Sequence, residues 1–198
     1  MDEPYGATPI TPADLQGLRV KHITLRGQLD ELEQANIQNG LLWLKKQRSA
    51  DLLSPEFVCK LHKKLFGEVW QWAGCFRKAG TNIGSEPYYI AIELRDLFDD
   101  ARYWIENQTF EPKEIAVRFH HRLVKIHPFP NGNGRHARIM ADAILTHKLG
   151  QPEIDWAGGQ DLQRSGDRRK LYIKALRAAD RGDFGALLAF VGLPPAEE

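Results

Sequence analysis

The run from His127 to Arg138, which reads HPFPNGNGRHAR, constrains this chain of 198 residues more than any other stretch. Pro128 and Pro130 end the apolar-periodic segment before it, because proline lacks a backbone donor and keeps the preceding residue out of helical dihedral angles. After the run, apolar side chains recur at helical spacing until Gly150 and Pro152. The pattern therefore predicts a tight loop between two helices.

The composition of this loop is typical of an anion site. Gly132 and Gly134 permit positive φ angles and a close approach to a ligand, so that successive N–H groups can converge on it. Arg135 and Arg138 lie one turn apart near the start of the second helix, where the helix dipole disfavours positive charge. A phosphate chain would satisfy the amides, the helix end and both guanidinium groups. His127 can accept a proton near pH 7, which indicates transfer chemistry.

Other interpretations of the same run are weaker. The spacing Gly132-x-Gly134-x-x-Ala137, with Asp155 about twenty residues on, matches a loose dinucleotide fingerprint, but that fingerprint follows a strand rather than a helix and two prolines. A P-loop would require a Gly-Lys-Ser/Thr ending, which the run lacks. A plain structural turn would explain the glycines and prolines but not two arginines at a helix N-terminus.

The run closely resembles the motif of the Fic (filamentation induced by cAMP) domain family, and the whole sequence is most similar to the branch called mobile mystery protein B. The resemblance implies that His127 deprotonates a target hydroxyl, which attacks the α-phosphate of a nucleotide, usually ATP. It also implies that Arg135 binds the β-phosphate, Arg138 the terminal phosphate, and that Phe129 anchors the loop in the core. The implied nucleotide-binding residues are Phe129, Gly132, Asn133, Gly134, Arg135 and Arg138.

Asn131 is a departure from the family pattern. The family usually has Asp or Glu here, and that carboxylate binds the magnesium that bridges the phosphates. An amide oxygen can coordinate Mg²⁺ but lacks the negative charge that this hard cation prefers. The resemblance therefore implies magnesium with Asn131 as a weak ligand.

Residues 77–90 contain Gly80, Gly84 and Pro87 among a few β-formers, which predicts a short hairpin. The preceding Trp-Ala-Gly-x-x-Arg element, which ends at Arg77, is also similar to the Fic sequence that leads into a flap over the active site. The resemblance implies that a target segment docks along this flap as an added strand. The expected docking residues are Thr81, Asn82, Ile83 and Gly84, and an ordinary surface hairpin is the alternative.

The N-terminal part, residues 1–50, is expected to be a helical extension of a Fic core over residues 51–198. Its first ten residues are expected to be ordered only by packing on the body. Many Fic proteins carry an inhibitory helix whose glutamate pairs with the second motif arginine, and Glu33 opposite Arg138 is the candidate here, although the full inhibitory motif is missing. The alternative is that Asp30, Glu31 and Glu33 form a solvated helix face.

Helical stripes before and after the loop predict an all-α bundle with the small β-hairpin flap, and the resemblance implies that the bundle is of the Fic type. His120 and His121 lie on the helix before the loop and are interpreted as structural, because no cysteine or carboxylate completes a zinc-like set. Trp156 and Tyr172 are guesses for a surface that stacks on adenine, with core packing as the favoured alternative.

Charge and cysteine content bound the partners. The net charge is +1 from 27 basic and 26 acidic residues, which gives no reason to expect nucleic-acid or membrane binding. Two cysteines and the lack of an apolar leader suit a cytoplasmic protein. A small helix-turn-helix partner protein, in a toxin–antitoxin-like pairing, is expected by family analogy only.

The expected function is that of a protein adenylyltransferase, which transfers AMP from ATP to a Ser, Thr or Tyr hydroxyl of a target protein. Two alternatives stay open. The chain is instead a nucleotide-binding regulatory module without turnover, or a Fic-type transferase that uses another donor for UMP, phosphocholine or phosphate.

Overall fold

The computed structural model describes residues 5–6, 8–20, 26–158, 162 and 166–193. These residues form helices joined by loops, which confirms the all-α class. The helices are α1 (Pro12–Gln16), α2 (Arg26–Leu44), α3 (Pro55–Phe66), α4 (Ile90–Glu106), α5 (Pro112–Ile126), α6 (Asn133–His147), α7 (Asp167–Ala179) and α8 (Gly185–Phe190), with a short 3₁₀ turn at Pro87–Tyr89.

The helix starts follow local chemistry. Thr11 caps α1 with a capping box, in which its hydroxyl accepts from the N–H of Asp14 and the Asp14 carboxylate accepts from the N–H of Thr11. The hydroxyl of Ser54 accepts from the N–H of Phe57, with Pro55 at the first helical position of α3. Pro112 likewise lies at the start of α5, which has no side-chain cap. Each of these starts depends on neighbouring residues alone.

The predicted hairpin at 77–90 is wrong. Within the described residues the only β-type pairing is an isolated antiparallel bridge between Leu18 and Trp70. Residues 77–86 form an open loop that runs into the 3₁₀ turn, and we call residues 77–86 the flap. Its backbone is held by Arg77 and by the loop that follows α5 rather than by a partner strand, so the β-formers are not paired with each other.

Two apolar clusters lie on opposite sides of α5 and α6. The larger cluster joins these helices to α2, α3 and α4 and includes Phe119, Leu123 and Met140. The smaller one joins them to α7 and α8 through Val117, Leu145 and Leu187. Both helices that flank the α5–α6 loop therefore take part in both clusters, so the two ends of the loop are held by close packing. None of the helices in the described ranges is both long enough and apolar enough to span a bilayer.

Candidate active site

The loop between α5 and α6 is defined by two left-handed residues. His127 caps the C-terminus of α5 at φ 54°, and Gly132 precedes α6 at φ 78°. A Cβ atom on Gly132 would lie 2.8 Å from the ring of Phe66, so that this position requires glycine for both conformation and space. Gly134 also permits positive φ but does not adopt it, because α6 begins at Asn133 and Gly134 is already helical.

Phe129 and Asn133 hold the loop from within. Phe129 is completely buried and stacks on His62 with ring centroids 3.7 Å apart. The Asn133 side chain accepts from the N–H of Phe129 at 2.9 Å and donates to its carbonyl at 2.8 Å. The expected anchoring by Phe129 is confirmed, but its burial leaves no ring face for a nucleotide. The Asn133 amide is likewise engaged with the loop, so only its backbone N–H is directed to a ligand.

His62 is a second clamp that the sequence analysis missed. Its Nδ1 accepts from the N–H of Gly74 at 3.0 Å, so its Nε2 carries the proton and donates to the carbonyl of Asn131 at 3.0 Å. Burial lowers the pKa of His62 well below its ordinary value, with the nearby His136 as the next cause. A neutral imidazole therefore links α3, Gly74 and the loop between α5 and α6.

His127 is arranged as a base. Its Nδ1 lies 3.2 Å from the carbonyl of Val124, which can only accept, so Nδ1 carries the proton and Nε2 is left with a free lone pair. The hydroxyl of Thr8 donates to that Nε2 at 2.9 Å. Burial, followed by the charge of Arg77, lowers the pKa of His127 to about 4, against the opposing effect of the Val124 carbonyl. The imidazole is therefore neutral at pH 7.

Arg77 connects the flap to the base and was given no role from sequence. It is buried, and its guanidinium donates to the carbonyl of His127 at 2.6 Å, to that of Ala79 at 3.0 Å and to that of Ser85. Its own N–H donates to the carbonyl of Pro128 at 2.9 Å. The Trp-Ala-Gly-x-x-Arg element marks the position of Arg77 in the sequence but does not show which carbonyls it binds.

The flap lies directly on the base at Gly84. This residue has φ 111°, and a Cβ atom on it would be 2.6 Å from the Cβ of His127. Asn82, Ile83 and Gly84 are exposed, whereas Thr81 is half-buried and its hydroxyl donates to the carbonyl of Ile83. Of the four expected docking residues, Gly84 thus lies against His127 and the other three precede it in the flap, and the four do not form a strand.

Three groups of donors converge where α6 begins. The first intrahelical hydrogen bond of α6 runs from the N–H of His136 to the carbonyl of Gly132 at 2.9 Å, so that the N–H groups of residues 133–135 have no partner within the helix. Arg135 and Arg138 are half-buried on the same turn. Arg138 contacts the hydroxyl of Tyr172 at 3.5 Å and makes no ion pair with a carboxylate in the described part of the chain.

Glu33 meets the motif at a different arginine from the one expected. Its carboxylate accepts from Arg135 at 2.5 Å and from the indole N–H of Trp70 at 2.7 Å, so that the expected pairing with Arg138 is wrong. Arg135 and Arg138 point to different neighbours because residues three apart in a helix differ by about 60° around its axis, and α2 lies on the Arg135 side. Asp30 and Glu31 are exposed, but Glu33 is only 3% exposed and does not belong to a solvated face.

The donor set does not fit a protein-held magnesium site. Among the described residues, no three His, Cys, Asp or Glu side chains are grouped so that they could bind a metal ion. The oxygen of the Asn131 side chain already accepts from the N–H of Gly132 at 2.7 Å, and its amide nitrogen donates to the carbonyl of Thr8 at 3.3 Å. A neutral oxygen with a hydrogen bond already made is a poor ligand for a hard dication.

The two aromatic guesses for adenine stacking lie in the core. Trp156 and Tyr172 are both buried, and both contact His120, which donates or accepts at 2.9 Å with the Tyr172 hydroxyl. Their faces are covered, in agreement with the core-packing alternative. His121 pairs instead with Asp180 at 2.9 Å.

A cavity of about 540 Å³ lies between the flap, α5 and α7, with Gly84, Val124 and Leu176 in its lining.

Fold and site together define a helical protein in which a neutral imidazole base shares one loop with a helix N-terminus and two arginines. A profile of the Fic/DOC family matches residues 52–145, which include this loop and both flanking helices in whole or nearly so. The chain therefore contains a domain of the Fic/DOC family.

Known relatives extend the similarity beyond that domain. The chain is 27% identical to protein adenylyltransferase fic-1 of Caenorhabditis elegans over 149 residues, and 26% identical to protein adenylyltransferase Fic of Aedes aegypti over 145 residues. Each match covers 71% of this chain and 27% of the relative. The chain thus spans about a quarter of the length of these relatives.

Solved structures share the fold. A fragment of Fic-1 from C. elegans superposes with a TM-score of 0.66 at 23% identity, covering 89% of this chain and 51% of that one. BepC from Bartonella tribocorum, solved with bound AMPPNP, gives a TM-score of 0.68 at 15% identity, covering 94% of this chain and all of that one. At these identities the likeness concerns the helical fold.

Proposed function

We propose that this chain is a protein adenylyltransferase, which transfers AMP from ATP to a Ser, Thr or Tyr hydroxyl of a protein target. The observation that carries the proposal is the state of His127. Its Nε2 is unprotonated and takes a hydrogen bond from an aliphatic hydroxyl at 2.9 Å, as a general base does before transfer. The names of the curated relatives, which are protein adenylyltransferases, support the same activity.

The reaction needs little chemistry beyond positioning and charge neutralisation. The target hydroxyl gives its proton to Nε2 of His127 as its oxygen attacks the α-phosphate, and pyrophosphate leaves. The free N–H groups at the start of α6 and the guanidinium groups of Arg135 and Arg138 are suited to the charge on the phosphates. No step is assigned to magnesium, since Asn131 offers only an amide oxygen that is already hydrogen-bonded.

The flap and the adjoining cavity support a route for the acceptor. Gly84 lies against the imidazole, and residues 82–85 line one wall of the cavity of about 540 Å³. A target segment that enters there meets backbone groups of the flap before it reaches Nε2 of His127. If the flap binds the target through backbone groups, the hydroxyl can be positioned with little dependence on which side chains flank it in the target.

The test is label transfer from α-labelled ATP to the chain itself and to added casein, an unfolded protein rich in hydroxyl side chains. His127→Asn removes the base and suits the left-handed conformation at φ 54° better than alanine does. We expect label to fall by about 10²- to 10⁴-fold, because that is the usual contribution of a general base. His147→Ala, which removes an imidazole at the other end of α6, is the control and should retain transfer. Equal labelling by His127→Asn and the unmodified chain would reject the proposal.

A second candidate function is favoured by Asn131. A loop without the family's carboxylate is suited to bind a nucleotide without turning it over, as a regulatory module does. Calorimetry with ATP beside the labelling assay separates the two. Binding in the micromolar range with no label on either protein would favour the regulatory module over the transferase.

A further inference from the structure

The first described residues of the chain lie across the candidate active site. We call residues 5–6 and 8–10 the N-terminal strap. At its start, the carbonyl of Tyr5 accepts from Arg169 at 2.8 Å and its hydroxyl accepts from Arg177 at 2.9 Å. At its end, Ile10 packs against the larger apolar cluster. Both ends are therefore attached to the body, one on α7 and the other on the larger apolar cluster.

Between these attachments the strap presents Thr8 to the base. The hydroxyl of Thr8 is 2.9 Å from Nε2 of His127, and its carbonyl accepts from the side chain of Asn131 at 3.3 Å. Because Nδ1 of His127 carries the imidazole proton, the hydroxyl is the donor and its oxygen lone pairs are free. An oxygen in this state is an alcohol nucleophile paired with its base.

The neighbouring threonine, Thr11, does not share the contact that Thr8 makes with His127. It is the next hydroxyl along the chain, but its side chain donates to Asp14 at 2.7 Å and accepts from the N–H of Asp14 at 3.1 Å. These bonds close the capping box of α1 and hold the Thr11 oxygen away from the base. Two threonines three positions apart thus have different environments: Thr8 is bonded to the base, and Thr11 is part of a helix cap.

We propose that Thr8 is a self-modification site, the intramolecular acceptor of a nucleoside monophosphate from a nucleoside triphosphate. The inference rests on the proposed function, since it uses the same base and the same phosphate loop. In the step, the Thr8 proton moves to Nε2 of His127, Oγ1 forms a bond to the α-phosphorus, and the bond from that phosphorus to the β-phosphate bridging oxygen breaks. The products are a threonine phosphodiester and pyrophosphate.

Intramolecular geometry gives Thr8 an advantage over any separate target. A hydroxyl already held at its base has an effective concentration far above that of a protein in solution. The strap also occupies the place at Nε2 where a foreign hydroxyl must bind. Self-modification and target modification therefore compete, and removing the Thr8 hydroxyl should not reduce labelling of an added acceptor.

The experiment incubates the full chain with α-labelled ATP and magnesium and maps the label by intact mass and peptide fragmentation. The unmodified chain, Thr8→Ser and Thr11→Asn should all gain one AMP on residue 8, because serine retains the hydroxyl and asparagine retains the α1 cap. Thr8→Val should lose that label. Its unfolding temperature and its labelling of casein should be at least as high as those of the unmodified chain. His127→Asn should lose both labels.

A mixing experiment tests the intramolecular step. Thr8→Val has the base without the acceptor, and His127→Asn has the acceptor without the base, so a mixture of the two should leave residue 8 unlabelled. Label on residue 8 in the mixture would overturn the intramolecular assignment. Label on casein or on other residues, but not on Thr8 of the unmodified chain, would overturn the self-modification site and leave the transferase intact. Loss of all label from every variant would instead reject the proposed function.

Discussion

Glu33 on α2 and Arg135 on α6 form an ion pair at 2.5 Å although 102 residues separate them in the chain. The same carboxylate accepts from the indole of Trp70, so it is held on two sides while only 3% exposed. A nucleotide whose β-phosphate approaches Arg135 must compete with this carboxylate. The pair therefore both attaches α2 to the body and opposes anion binding at the loop.

We predict that Glu33→Gln tightens ATP binding severalfold, because it removes a negative charge that competes for Arg135. The amide can still accept from Trp70, so the cost in folding free energy should stay below the roughly 3–5 kcal/mol expected when one partner of a buried pair is removed. Calorimetry with ATP and urea unfolding measure the two effects. Glu31→Gln, on the exposed face of α2, is the control and should change neither. Weaker ATP binding by Glu33→Gln would mean that the carboxylate positions Arg135 for the phosphate.

We predict that Arg77→Lys strongly reduces label transfer while the helices stay folded. An ammonium group cannot reproduce the fork that reaches the carbonyls of His127, Ala79 and Ser85. The bond to the His127 carbonyl is buried, and a buried carbonyl left without its donor costs about 1–3 kcal/mol. The flap and the backbone of His127 should then lose their fixed relationship. The measurements are transfer from α-labelled ATP and helix content by circular dichroism. Lys78→Met, which changes an exposed cation one residue away, should behave as the unmodified chain does.

We predict that Asn131→Asp lowers the magnesium concentration that gives half-maximal transfer. A carboxylate supplies the charged oxygen that the donor set lacks, and Mg²⁺ prefers such a ligand together with phosphate oxygens. The measurement is a magnesium titration of label transfer at fixed ATP. Asn133→Asp is not a suitable control, because that side chain clamps Phe129 through both its oxygen and its nitrogen. Asn107→Asp, at the C-terminal cap of α4, serves as the control instead. An unchanged titration for Asn131→Asp would show that residue 131 does not face the metal.

We predict that the free energy of unfolding falls as the pH is lowered from 7 toward 4. Burial lowers the pKa of His127 to about 4 and that of His136 to about 3, while both have ordinary values near 6.5 when unfolded. Between those values the unfolded chain binds protons that the folded chain does not, so stability is present above pH 6.5 and is lost as the pH falls toward the folded pKa. The pKa values of His62, His120 and His121 are lowered as well.

Each such histidine contributes a slope of roughly 1.4 kcal/mol per pH unit in this window. Urea unfolding at a series of pH values measures the total. The amide nitrogen of Gln in His136→Gln can still donate to the carbonyl of Val58. This variant should reduce the slope by up to the amount that one bound proton contributes. A stability that stays constant between pH 7 and 5 would contradict the burial of neutral imidazoles.

Sequence reasoning located most of the loop because its determinants are local. The prolines and Gly132 act on their neighbours, so the tight loop between two helices and the left-handed turn at Gly132 agree with the structure. The burial of Phe129 agrees with what the family resemblance implied. The sequence allowed either a left-handed or a helical conformation at Gly134, and the structure makes it helical because α6 begins one residue before it.

The flap was misjudged because β-formers predict an extended backbone but not its partner. Here the partner of the segment is the fork of Arg77 and the end of α5, so the backbone groups that a hairpin would pair are bonded elsewhere. A buried arginine with several carbonyl acceptors depends on three segments of the chain meeting. No one of these segments carries a sequence pattern that predicts these contacts.

The sequence by itself determined the helices, the tight turn before α6 and the set of side chains suited to phosphate and to proton transfer. Only the tertiary structure decided which groups meet: Glu33 with Arg135 rather than Arg138, Arg77 with the backbone of His127, and Thr8 with its imidazole. The physical reason is range. Backbone dihedral preferences and caps act within a few residues, whereas these pairs join segments that are 50, 102 and 119 residues apart in the chain.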